Sequence, residues 1–102
     1  MQDGLVYAAD LRGFLYSIEA ATGKVVWTHD LFAEVWGSPL VFDGRIYLGD
    51  EDGDMLVMRA GRKQEQLFEV NMGSAIYTTP ATSDGVLYIA TRSKLFAIAA
   101  PR

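Results

Sequence analysis

Asp3-Gly4-Leu5-Val6-Tyr7-Ala8-Ala9, Asp43-Gly44-Arg45-Ile46-Tyr47-Leu48-Gly49 and Asp84-Gly85-Val86-Leu87-Tyr88-Ile89-Ala90 are three spellings of one segment. Their glycines stand at 4, 44 and 85, a spacing of 40 and then 41 residues. Ser38-Pro39 returns on the same beat as Thr79-Pro80, 41 positions later. A period of this size marks a repeat architecture, in which one supersecondary unit cannot bury its own faces and stacks on its neighbours. The chain holds two full periods and part of a third.

Each period resolves into short runs bounded by turn residues, the mark of an all-β chain rich in hairpins. In the middle unit, residues 38–42 are the first predicted strand, with Pro39 suited to a sheet edge or a strand start. Asp43-Gly44 predicts a hairpin, because glycine takes positive φ freely and aspartate tolerates it. Residues 45–49 form the second strand, Asp52-Gly53 the next turn, and residues 55–59 the third strand. A loop at 61–64 leads to the fourth, 65–70. The middle strands are apolar almost without alternation, as in Val86-Leu87-Tyr88-Ile89-Ala90. Such a run needs cover on both faces, which a radial stack of four-stranded sheets supplies. Tyr7, Tyr47 and Tyr88 fall at equivalent positions, as do Tyr16, Leu56 and Phe96, and both rows are expected to pack blade against blade. A helical reading fails, since Gly, Pro and Asp-Gly pairs interrupt every window of about ten residues.

The expectation is an all-β chain, a β-propeller fragment of about two and a half four-stranded antiparallel blades. Residues 1–36 are a blade lacking its first strand, 37–77 a complete blade, and 78–102 a blade lacking its last strand. Closed propellers hold about four to eight blades, so these ten strands do not close a ring by themselves. A piece near the C-terminal end of a propeller of about 280–330 residues is expected, with a self-assembling ring as the alternative.

Half of the 102 residues are apolar and 12% aromatic, enough for a packed core. Nine basic against thirteen acidic residues give a formal charge of −4. No basic stripe is present to bind phosphates, so nucleic acid is not an expected partner. The absence of cysteine removes disulfides, thiolate metal sites and cysteine nucleophiles together. No stretch approaches the roughly 18–20 apolar residues of a membrane helix. Met1-Gln2-Asp3-Gly4 enters a repeat at once and leaves no room for a signal peptide; the natural N-terminus is expected upstream.

Ser17-Ile18-Glu19-Ala20-Ala21-Thr22-Gly23-Lys24-Val25-Val26-Trp27 resembles the pyrroloquinoline-quinone-type propeller repeat. That repeat reads small, acidic, Thr-Gly-Lys, then Trp four positions after the glycine. Tyr7, Gly13, Leu15, Tyr16 and Ser38-Pro39 also stand in family places, so the resemblance covers essentially the whole chain. It implies that Gly23 makes the turn between third and fourth strands and that Trp27 docks against the neighbouring blade. A tryptophan buries on the order of 200 Å² in such a seam. The second unit reads Met58-Arg59-Ala60-Gly61-Arg62-Lys63, carries one extra residue and puts Phe68 in the place of Trp27. The third stops at Ala97-Ile98-Ala99-Ala100 before its turn.

Proteins with this repeat include quinone-dependent alcohol and sugar dehydrogenases, the propeller lipoprotein of the outer-membrane β-barrel assembly machinery, and many bacterial proteins that bind no quinone. The implied role is a non-catalytic scaffold or protein-interaction module of a larger bacterial propeller protein in the periplasm or cell envelope. The alternative is a portion of a quinone-dependent dehydrogenase propeller. The family's enzymes stack the quinone on a tryptophan, often cover it with a disulfide of adjacent cysteines, and use Ca²⁺ with an aspartate base. With no cysteine that cover is missing; Trp36, near the start of an innermost strand, is the candidate floor, against the reading of a seam or rim aromatic.

Asp50-Glu51-Asp52-Gly53-Asp54 is the densest charge cluster. Its alternating aspartates resemble the start of a calcium loop. The glycine is one position early, however, and the twelfth residue is Gly61 rather than Glu, so a solvated turn is expected. His29, the single histidine, lacks a nucleophile at an evident spacing and reads as a surface or seam residue. Ser17, Ser38, Ser74, Ser83 and Ser93 include no Gly-x-Ser-x-Gly elbow. Ser38-Pro39 and Thr79-Pro80 lie on innermost strands near the central channel, where propellers bind ligands, but their repetition points to structure. No catalytic, cofactor-binding or metal residue is assigned. The expected partner is a protein or the remaining blades, or a second copy of the chain at the open blade edges.

Overall fold

The structure, a computed structural model, describes residues 4–83 and 86–99. Ten strands and no helix occur among them: β1 (Leu5–Ala9), β2 (Phe14–Glu19), β3 (Val25–Asp30), β4 (Leu40–Phe42), β5 (Arg45–Gly49), β6 (Asp54–Arg59), β7 (Gln66–Asn71), β8 (Ala81–Ser83), β9 (Val86–Ala90) and β10 (Leu95–Ala99). They form three antiparallel sheets in the orders β1-β2-β3, β4-β5-β6-β7 and β8-β9-β10. This is a β-propeller segment of three, four and three strands. The Asp84-Gly85 hairpin and the final Ala100-Pro101-Arg102 lie outside the described residues.

Asp43 and Gly44 both take positive φ, 54° and 72°, and turn β4 into β5, the backbone demanded by a two-residue hairpin whose twist matches its strands. The first strand of the middle blade begins at Leu40 rather than at Ser38. The Ser38 N–H instead donates to Thr79 Oγ1 of the next blade at 2.8 Å. The fourth strand begins at Gln66, because the Glu65 carbonyl closes the preceding turn by accepting from the Arg59 N–H at 2.9 Å.

Burial follows the stacking. Ile46–Gly49 on β5 and Met55–Met58 on β6 are buried at every position, so both faces of the middle sheet are covered. On β9 the pattern alternates, as it must when a sheet has cover on one side only. One core cluster joins Leu15, Trp27, Leu31 and Val35 to Ile46, Leu48, Leu56 and Met58, sealing the first blade to the second. The other joins Tyr47, Met55 and Val57 to Ile76, Leu87 and Ile89. Tyr7 and Tyr47 look toward the following blade, Leu56 and Phe96 toward the preceding one. The two rows of large side chains are therefore the two sides of each seam.

A bulge recurs at one place in both outer hairpins, between Ser17 and Ile18 against β3 and between Val57 and Met58 against β7. The extra residue turns consecutive side chains to one face. Val26 thus joins Trp27 on the first cluster, and Leu67 packs on the second.

Candidate functional site

The Thr-Gly turn and its tryptophan hold the blades in register. Gly23 sits at φ 75°, and its N–H donates to the Glu19 carbonyl at 2.8 Å. Thr22 Oγ1 donates to Glu19 Oε1 at 2.8 Å, while Arg62 reaches across from the next blade to Glu19 Oε2 at 2.9 Å. The Thr22 hydroxyl, and then Arg62, hold the Glu19 carboxyl below its usual range. Trp27 Nε1 donates to the Gly61 carbonyl at 2.9 Å, and Tyr7 Oη accepts from the Gly61 N–H at 2.6 Å. One peptide turn of the second blade is thereby gripped by two aromatics of the first. His29 belongs to the same seam, with Nδ1 lying 3.0 Å from Gln64 Nε2. The fully buried Ser17 lies opposite Trp27, where the next blade pairs Val57 with Phe68, a larger inner partner facing a smaller aromatic.

Each turn between the second and third strands of a blade is built on a side-chain acceptor at one repeat position. Asp10 Oδ1 accepts from the Phe14 N–H at 3.2 Å. Asp50 Oδ1 accepts from the Asp52 and Asp54 N–H groups, both at 3.0 Å. Thr91 Oγ1 accepts from the Lys94 N–H at 3.0 Å. Around Asp10 the Tyr16 hydroxyl, together with Arg12 and the Phe14 amide, holds the carboxyl down at about 2. Asp50 is 1% exposed, and burial pushes its carboxyl up to about 6 against the pull of the Asp54 and Asp52 amides. The solvated turn expected at 50–54 is therefore corrected at Asp50. The hairpin at Asp52-Gly53 stands, with Gly53 at φ 89°, but the Ile76 N–H from the blade connection donates to the Asp50 carbonyl at 3.0 Å and roofs the residue over. A carboxylate oxygen each from Asp50, Asp54 and Glu69 lie within 4.8 Å of one another.

The same turns and the connections between blades form one rim. Val35 N–H donates to the Leu11 carbonyl at 3.2 Å, Glu51 N–H to Glu34 at 2.8 Å, and Arg92 N–H to Ala75 at 2.8 Å. This rim carries apolar side chains that the core has not absorbed: Leu11, Phe32, Trp36 and Tyr77. Phe32 is 87% exposed and sits at φ 59°, held there by its N–H on Asp30 Oδ1 at 2.8 Å. A left-handed backbone costs a side chain-bearing residue roughly 1–2 kcal/mol, so the ring is displayed at a cost. Trp36 and Tyr77, 41 residues apart, meet edge to face with centroids 6.3 Å apart.

Trp36 is half exposed, and the Tyr77 ring meets it at 69° rather than parallel. Within this chain Trp36 is not enclosed as the flat floor that a planar quinone needs. The cleft of about 350 Å³ lies elsewhere, between the second and third blades. It is lined by Tyr47, Val57, Phe68, Val70, Leu87 and Ile98 among others, with Arg45 the one charged wall among the described residues. The Ser38 N–H donates to Thr79 Oγ1 just ahead of the innermost strands, and Ser74 Oγ donates to Thr91 Oγ1 at 2.9 Å beside Ser93 Oγ. Ser83 is exposed on β8. The serines are thus spread over separate blades and turns. Sequence reasoning missed the rim patch, although Trp36 and Tyr77 share a repeat position that would have paired them.

Residues 1–100 match a family model described as outer membrane protein assembly factor BamB. The chain is 30% identical over 87 residues to the quinoprotein alcohol dehydrogenase PedH of Pseudomonas putida, covering 82% of this chain and 14% of that protein. It is 28% identical over 98 residues to the outer membrane protein assembly factor BamB of Nitrosomonas eutropha, covering 94% of this chain and 23% of that one. Among solved structures, BamB from Moraxella catarrhalis superposes with a TM-score of 0.80 at 19% identity, over 97% of this chain and 30% of the other. The chain spans less than a quarter of the length of the curated relatives it matches.

Proposed function

This chain belongs to the propeller-repeat family described as outer membrane protein assembly factor BamB, and on that premise we propose that it is a non-catalytic scaffold that binds a protein partner. It acts as part of a larger bacterial propeller protein of the cell envelope, with blade boundaries at 36/37 and 77/78. The observation that carries the reading is the strained, exposed Phe32 on the same rim as the exposed Leu11, Trp36 and Tyr77. Exposed aromatics of this kind supply binding energy at protein interfaces, where they reach desolvated pockets. Glu34, Glu51 and Arg92 stand on the same rim, so the complementary face is apolar at its centre and carries charges of both signs at its edge.

The test places Phe32→Ser and Trp36→Ala in the full-length protein and measures outer-membrane β-barrel protein levels in cells. A fall with an unchanged thermal midpoint is the expected result. Unchanged levels with both rim aromatics removed overturn the reading. Similarity to PedH favours a second reading, a portion of a quinone-dependent dehydrogenase propeller. Titration of the full-length protein with pyrroloquinoline quinone and Ca²⁺ separates the two: a saturable absorbance change favours the dehydrogenase, and a flat titration removes it.

A further inference from the structure

The three repeats contain an internal comparison. In the first blade, Asp10 Oδ2 accepts from Tyr16 Oη at 2.7 Å and from Arg12 Nη2 at 3.0 Å, so its charge is met within the blade. In the second blade, 40 residues on, the place of Arg12 is taken by Asp52 and that of Tyr16 by Leu56. Both donors are gone, and Asp54 replaces Phe14, adding a carboxylate. In the third blade the acceptor is the neutral Thr91. Only the middle blade, among the described residues, keeps a carboxylate at this place while replacing its cation with an acid.

The consequence is visible at Asp50. Its Oδ1 is taken by two amides, but its Oδ2, buried, has no hydrogen-bond partner. A buried carboxylate oxygen without a donor is costly unless a charge of opposite sign meets it. What surrounds it is acidic: oxygens of Asp50, Asp54 and Glu69 fall within 4.8 Å of one another. Oxygens on opposite sides of a Ca²⁺ ion lie about 5 Å apart, at twice a ligand distance of about 2.3–2.6 Å, so the triad has the span of one coordination sphere. Asn71 steadies it, with Nδ2 donating to Asp54 Oδ1 at 3.0 Å. Glu69 is exposed, leaving one side open to water ligands.

We propose that Asp50, Asp54 and Glu69 form a Ca²⁺ site that does in the second blade what Arg12 and Tyr16 do in the first. The ion bridges the turn between β5 and β6 to the outermost strand β7 and ties that edge of the sheet down. The site lies on the same rim as the aromatics but shares no residue with them, and neither reading depends on the other.

The test is calorimetric titration of the chelator-stripped 102-residue chain with CaCl₂, with the thermal midpoint followed in parallel. One ion per chain is expected, with a midpoint that rises on binding. Glu69→Gln, at an exposed position that leaves the fold intact, weakens binding at least tenfold, and Asp54→Asn does the same. Asp43→Asn, in the neighbouring hairpin, leaves binding unchanged. Asp50→Asn gives Oδ2's place a donor, so it removes the rise with Ca²⁺ while stabilising the ion-free chain. Absence of heat and of any midpoint shift at about 10 mM Ca²⁺, well above the weakest extracellular sites, overturns the proposal. So does binding that Glu69→Gln leaves untouched.

Discussion

At Trp27 the indole N–H is spent on the Gly61 carbonyl while the ring lies 6.1 Å from that of Tyr7, whose hydroxyl takes the Gly61 N–H. Truncation to alanine opens a cavity in the first seam, so Trp27→Ala is expected to cost about 3–5 kcal/mol. Trp27→Phe copies the residue found at 68 but strands the Gly61 carbonyl, for about 1–2 kcal/mol. Urea denaturation checks both, with the midpoint falling in that order. The anchor was legible in the sequence, since Thr22-Gly23-Lys24 and Trp27 stand at the family's spacing. The burial of Asp50 was not. Its own stretch reads as charged and turn-forming, and what covers it is the connection through Ile76, more than twenty residues away in sequence. Local pattern records the turn, and the covering contact is tertiary.

The hairpin between second and third strands shows the same division at the scale of an element. Gly13 takes φ 97°, and a Cβ there would overlap the Ala33 carbonyl oxygen from the blade connection. Gly53 repeats this, with Ser74 O 2.7 Å from such a Cβ. Gly23 also has positive φ but nothing within 4 Å. Gly23→Ala is therefore expected to cost about 1–2 kcal/mol from backbone strain alone. Gly13→Ala, which must also displace backbone, costs measurably more in the same denaturation assay; equal costs would refute the close approach.

Asp10 tests the turn through pH. Its folded-state value of about 2 lies below the ordinary 3.8. Ionised Asp10 therefore contributes stability above pH 3.8, and that contribution is lost as pH falls toward 2. The gap in midpoint between the parent chain and Asp10→Asn should hold steady above about pH 4 and close on acidification. The Asp-Gly hairpin at 43–44 and the strand 45–49 were readable from local chemistry, whereas the start of β4 depended on a bond from Ser38 to Thr79 in another blade.

For the molecule as a whole, stacking decides where apolar surface is satisfied. The middle blade is covered twice, but its neighbours are covered once, and β1 and β10 each have a partner on one edge only among the described residues. Phe68, Val70 and Ile98 remain exposed around the cleft between the second and third blades. Unpaired strand edges beside apolar faces recruit further strands and faces. The rows of tyrosines made the stack legible in sequence. The rim patch was less so, because exposed aromatics and core aromatics have the same spelling.

The most direct test is the molar mass of the 102-residue chain by light scattering across a concentration series. The stacking account predicts a mass above 11.2 kDa that rises with concentration as open faces find one another. A chain that stays at 11.2 kDa throughout would contradict it, showing that these blades need no further neighbours.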